Sequence, residues 1–131
     1  MVRFVINGLL KNLLDVIMRR KNVSKKILNE IIRRVVFVAK PERIIMFGSA
    51  ARGDMGTHSD IDLLVIKKGL SNSREITGQI YLNLYGIDHA VDIIVVSPEQ
   101  VEQYRNSPYL VISPALKDGV VIYDSEKIAA G

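Results

Sequence analysis

Apolar residues recur along this chain with two different spacings, and the switches between them mark its elements. Ile27, Ile31, Val35 and Val38 keep the 3.6-residue spacing of one helix face, with Ser24 as an N-cap and Pro41 as the stop. Lys25, Lys26, Arg33 and Arg34 lie mostly off that stripe, as a solvated basic face. The runs Ile44–Phe47 and Leu63–Ile66 are short, β-branched-rich and bounded by turn residues, as buried strands are. Asn72 with Glu75 opens a second helix reaching about Leu84, with Ile76, Ile80 and Leu84 spaced by four. Ala90–Val96 reads as a third strand. Ser97, Pro98 and Gln100 start another helix, Ser113–Gly119 a short one, and Val120–Tyr123 a last strand. Lys127–Gly131 is expected to fray. Ahead of all this, Phe4, Leu9, Leu10, Leu13, Leu14 and Ile17 suggest an amphipathic helix within Met1–Asn22, packed on the domain or on another copy of it.

Chemistry concentrates between Arg43 and Ile66. Alternate residues of a strand share a face, so Asp60 and Asp62 point the same way. Two carboxylates side by side persist if a cation lies between them, if one takes up a proton, or if water screens both. Oxygen-only coordination suits Mg²⁺, which takes one or two carboxylates plus substrate phosphates. Gly48 lets backbone approach a ligand closely. A helix starting at Ser49 would offer free N–H groups to an anion. A phosphate site beside a magnesium site implies a nucleoside triphosphate. Asp92 interrupts the apolar run of the third strand, and a carboxylate there needs a partner or a metal.

Competing readings of the acidic pair are weaker. In an EF-hand counted from Asp60, loop position 6 falls on Val65 and position 12 on Ser71, where glycine and glutamate are required. Solvated turn carboxylates would not be followed at once by a buried run. A two-metal nuclease also clusters carboxylates, but the Gly48-Ser49 turn favours a triphosphate. Arg52 either steadies that triphosphate or pairs with a neighbour such as Asp54. His58 reads as a solvated loop histidine.

The order Gly48-Ser49, ten residues, Asp60-Ile61-Asp62 resembles the signature of the polymerase-β nucleotidyltransferase superfamily. The fuller run Phe47–Asp54 with Ser59–Val65 is similar to its single-domain branch, the minimal nucleotidyltransferases. The resemblance implies an α/β (α+β) fold, a small mixed sheet flanked by helices. It runs from about Ser24 to Tyr123, so a nucleotidyltransferase domain is expected at residues 23–124, with 1–22 outside it as an N-terminal helix or extension and 125–131 as a tail. It also implies a third aspartate beside the Asp-x-Asp pair. Asp92 fits that place better than Asp88, which precedes the strand.

The implied chemistry is two-Mg²⁺ transfer of AMP from ATP to a hydroxyl. Asp60, Asp62 and Asp92 serve as metal ligands and catalytic groups, and Gly48, Ser49 and Arg52 bind nucleotide. Stand-alone minimal nucleotidyltransferases resemble the antitoxin half of modules whose other half is a HEPN-type toxin, so a toxin tyrosine is the expected acceptor. A small alcohol, as in aminoglycoside nucleotidyltransferases, is the alternative, although those enzymes add a helical domain for which this chain looks too short. A binding antitoxin that only occludes its partner is the non-enzymatic alternative.

Composition narrows the rest. A chain of 131 residues favours one modest core. The absence of cysteine excludes disulfides, thiol catalysis and Cys-ligated zinc. The net charge of +4 suits polyphosphate, but no basic run beyond Arg19–Lys21 points to nucleic acid as substrate. No apolar stretch has membrane-spanning length, and a cytoplasmic location is expected.

Overall fold

The computed structural model describes residues 25–52, 60–107 and 112–130. The expected helix within Met1–Asn22, the cap at Ser24, and Asp54, His58 and Ser59 lie outside the described residues. In chain order the elements are α1 (Lys25–Ala39), β1 (Arg43–Phe47), α2 (Gly48–Arg52), β2 (Ile61–Ile66) and α3 (Ser73–Asn83). Then follow β3 (Val91–Val96), α4 (Pro98–Tyr104), α5 (Ile112–Asp118), β4 (Val120–Asp124) and α6 (Ser125–Ala130).

The four strands make one mixed sheet in the order β3-β2-β1-β4. β1 runs antiparallel to both β2 and β4, whereas β2 and β3 are parallel. A parallel pair needs a crossover, and α3 supplies it. Helices cover both faces, as the apolar character of β1 and β2 requires. On one face, Ile44, Met46, Ile61, Leu63 and Val65 pack with Leu28, Ile31, Ile32 and Val35 of α1 and Ile80 of α3. On the other, Ile45, Phe47, Leu64, Ile66 and Val96 pack with Val101 of α4 and with Ile112 and Ala115 of α5.

The stripe expected on α1 is rotated. Leu28, Ile31, Ile32, Val35, Val36 and Ala39 are buried, while Ile27 and Val38 are flanking, half-buried positions. A helix lying flat on a sheet buries a broader face than four residues at one spacing describe. Arg34 also departs from the solvated face. It is partly buried, and its Nη1 donates to the carbonyls of Asn83 and Tyr85 at 3.2 and 2.8 Å. α1 ends where Lys40 takes a positive φ of 48° before Pro41.

The two capped helices begin where the sequence places them. Asn72 Oδ1 accepts from Glu75 N–H at 3.1 Å. At α4, Gln100 N–H donates to Ser97 Oγ and Ser97 N–H to Gln100 Oε1, a complete capping box with Pro98 in the first turn. Gly78 weakens α3 by roughly 1 kcal/mol. Burying Ile80 and Leu84, at roughly 1.5–3 kcal/mol each, outweighs it.

Two ends differ from expectation. α5 begins at Ile112, so Ser113 is inside the helix rather than its cap; Ile112 is drawn in because it is buried against the second face. Residues Ser125–Ala130 form a helix instead of a frayed tail, started by Asp124 Oδ1 accepting from Glu126 N–H at 3.0 Å.

Candidate active site

The loop end of the sheet gathers the acidic residues. Asp60 stands just before β2, and Asp62 is its second residue. In the antiparallel ladder Asp62 is opposite Phe47, the last residue of β1. In the parallel ladder it is opposite Asp92. Alternation puts Asp62 with Leu64 and Ile66, and Asp92 with Ile94 and Val96, on the α4–α5 side of the sheet. Asp88 lies in the bend before β3, outside the ladder.

Asp92 interacts with both of the others. Its carboxyl is pushed up from the ordinary carboxylate range, first by partial desolvation, then by the hydrogen bond that its protonated form donates to Asp60 and by the Asp60 charge; contact with Asp62 works in the opposite direction. Both Asp60 and Asp92 are exposed, so the repulsion is held at an edge that solvent and ligands can reach. Among the described residues no three or more His, Cys, Asp or Glu side chains form a ready-made metal cage. The contacts are pairwise, through Asp92.

Gly48 closes the other side. Its φ is +73°, a conformation L side chains rarely take, and a Cβ there would run into the Asp62 carboxyl group. The conformation therefore favours glycine, a side chain there would displace the Asp62 carboxyl, and Asp62 lies directly against the turn between β1 and α2. α2 is described over Gly48–Arg52, and the backbone N–H groups of its first turn are what the turn offers an anion. Ser49 and Arg52 follow Gly48 within α2.

One contributor was not visible in the sequence. Tyr81, on α3, accepts a hydrogen bond from Ile93 N–H at 2.8 Å. β3 is an edge strand, and in the parallel ladder Ile61 N–H donates to Ala90 C=O. Even-numbered residues of β3 thus direct their backbone groups toward β2, and Ile93 directs its own outward. The Tyr81 hydroxyl satisfies that outward N–H and fixes the backbone adjoining Asp92. A tyrosine on an otherwise unremarked helix face carries no sequence signal for this; the strand order has to be known first.

The donor set is all carboxylate oxygen, which fits a hard divalent cation such as Mg²⁺ and not a soft one. Held-together carboxylates with one carboxyl already pushed up gain from any cation placed among them.

A family model described as polymerase beta, nucleotidyltransferase matches residues 25–128. A solved structure from Sulfolobus solfataricus, described as that of a candidate nucleotidyltransferase, superposes with a TM-score of 0.57 at 24% identity, covering 93% of each chain. At that identity the likeness speaks for the fold. Comparison with curated proteins finds no match.

Proposed function

Since the chain belongs to the polymerase β nucleotidyltransferase family, we propose that it moves AMP from ATP to a hydroxyl acceptor, and that the acceptor is a tyrosine on a partner protein of the HEPN type. The observation that carries the transfer reading is the register of Asp62 with Asp92, with the Asp92 carboxyl touching Asp60 as well. The protein acceptor is supported more lightly, by the likeness to minimal nucleotidyltransferases and by the exposure of Asp60 and Asp92 at the edge.

In this reading Asp60, Asp62 and Asp92 hold two Mg²⁺ ions. Bound there, the ions supply charge neutralisation for the triphosphate and a lowered pKa for the acceptor hydroxyl. The chain's own groups do the rest. Backbone N–H groups at Gly48 and Ser49 orient the terminal phosphates, and Arg52 neutralises them. Asp92, in register with Asp62 and in contact with Asp60, takes the proton from the acceptor oxygen. The acceptor oxygen forms a bond to the α-phosphorus as the α–β anhydride bond breaks and pyrophosphate leaves. Alignment and charge placement account for most of the acceleration in transfers of this kind.

The test is incubation with ATP, Mg²⁺ and the protein encoded beside this one, followed by mass spectrometry for an added adenylyl group. Asp60→Asn and Asp62→Asn should each lower transfer at least about a hundredfold while leaving the circular dichroism spectrum unchanged. Full activity in either variant would end the assignment. A tight complex with no modification would support occlusion, and modification of small alcohols alone would support the small-molecule reading.

A further inference from the structure

Asp62 and Asp92 are not held equally well. Asp62 stands inside the sheet, with β1 on one side and β3 on the other, and its carboxyl lies against the Gly48 turn. Asp92 is on β3, an edge strand, and only one flank of that strand meets another. Its carboxyl contacts both Asp60 and Asp62, and like charges so placed push apart. That repulsion moves an edge strand outward unless something holds its open flank.

The structure holds it at the residue after Asp92. Two bonds of 2.9 Å at the ends of the β2–β3 ladder set its phase, Ile61 N–H to Ala90 C=O and Lys67 N–H to Val96 C=O. Asp92, at an even position between them, turns its C=O toward β2, and the next N–H, that of Ile93, faces the open flank. The Tyr81 hydroxyl accepts from that N–H at 2.8 Å. The peptide plane that follows Asp92 is thus gripped from both sides, and its tilt governs where the Asp92 side chain leaves the backbone. Tyr81 is itself well anchored. Ile80, the residue before it, is fully buried. Just beyond, Arg34 Nη1 donates to the Asn83 and Tyr85 carbonyls, and Asn83 Nδ2 donates to the Arg34 carbonyl at 3.0 Å. α3 can neither roll nor slide without breaking these contacts. Tyr81 is 43% exposed, so water would satisfy the Ile93 N–H in its absence. What water would not supply is a tether to the helix layer.

We propose that Tyr81 is a positioning residue for nucleotidyl transfer: through the Ile93 N–H it sets Asp92 at the spacing from Asp60 and Asp62 at which the three carboxylates share divalent cations. This inference rests on the transfer reading. Groups that orient metal ligands without touching the metal commonly contribute about 10–100-fold in affinity or activity. Tyr81 acts through one peptide unit, which places it at the lower end.

The test uses Tyr81→Phe, which keeps the ring and removes the hydroxyl. Mn²⁺ alone is titrated into the whole chain, and paramagnetic broadening of amide NMR signals reports binding at the acidic edge. Tyr81→Phe should weaken Mn²⁺ binding about tenfold and speed hydrogen exchange at the Ile93 amide, with an unchanged circular dichroism spectrum. Ser97→Ala, at the far end of β3, controls for lost stability and should bind Mn²⁺ like the native chain. In transfer from ATP, Tyr81→Phe should lower kcat about tenfold and leave KM for ATP within about twofold, because the triphosphate is held at the Gly48-Ser49 turn. A merely structural tyrosine would lower the unfolding midpoint and leave Mn²⁺ affinity and kcat at native values; that result overturns the proposal. Asp62→Asn separates the two readings. If it abolishes Mn²⁺ binding while Tyr81→Phe changes nothing, the transfer reading stands and the positioning role falls. If Asp62→Asn binds Mn²⁺ like the native chain, the edge is not a metal site and both fall.

Discussion

A methyl group at position 48 would push the Asp62 carboxyl aside, and the backbone there already holds φ at +73°. Gly48→Ala should therefore cost about 1–3 kcal/mol by denaturant titration and displace the very carboxyl that the transfer reading needs. Stability and transfer should fall together in this variant, unlike in Asp62→Asn. A second residue-scale effect concerns acid. Hydrogen bonds from Arg33 and Arg34 hold the Glu30 carboxyl down at about 2, from an ordinary 4.5. Because the folded value is depressed, the contribution of Glu30 to stability is complete above the ordinary value and is lost as pH falls toward about 2. A carboxyl-carbon NMR titration should find that midpoint, and Arg33→Gln or Arg34→Gln should move it upward. The group is half-buried and still reached by solvent, so screening keeps the associated gain in stability small.

At the scale of elements, α4 rests on a reciprocal cap, with Ser97 and Gln100 each bonding the other's backbone. Ser97→Ala should cost about 1 kcal/mol in thermal or chemical unfolding, with Gln100→Ala giving a partial loss. Elements with such local signals were legible in the sequence: the strands with their β-branched runs, the starts of α3 and α4, and the stop at Pro41. What was not legible depends on partners distant in the chain. The tilt of the apolar face of α1 follows from the sheet beneath it. Arg34 is drawn inward by carbonyls at the end of α3. α6 forms where fraying was expected, because the Asp124 carboxylate caps it. Within the acidic site, strand periodicity led to the expectation of Asp60 and Asp62 on one face, but Asp60 stands before β2, and it is Asp92 that touches both. Asp92 was placed by resemblance and strand position, and its register with Asp62 needed the sheet. Tyr81 needed the sheet order as well.

For the whole molecule, the transfer reading would couple ligand to stability at the acidic edge. A cation that binds the folded chain and not the unfolded one raises the midpoint of unfolding, by about 2.7 kcal/mol at a hundredfold excess over Kd. Mg²⁺ with ATP should accordingly raise Tm in the native chain, and Asp62→Asn should remove most of that rise. If Mg²⁺ and ATP left Tm unmoved across millimolar concentrations, the carboxylates would not be a metal site. The same scale explains the arrangement of surfaces. One face of the sheet carries the aspartates at its open end, while the other carries the α1–α3 layer with its exposed aromatic residues. Substitutions at the acidic edge and on the α1–α3 layer thus fall on different layers of the sheet.

The two strands that bear the aspartates are joined by a helix, not by a hairpin. A nascent chain leaving the ribosome therefore exposes Asp60 and Asp62 well before Asp92 is made, and the half-built pocket must wait for the crossover to swing back. On the transfer reading, the third acidic group therefore joins the other two only when β3, an edge strand, settles against β2.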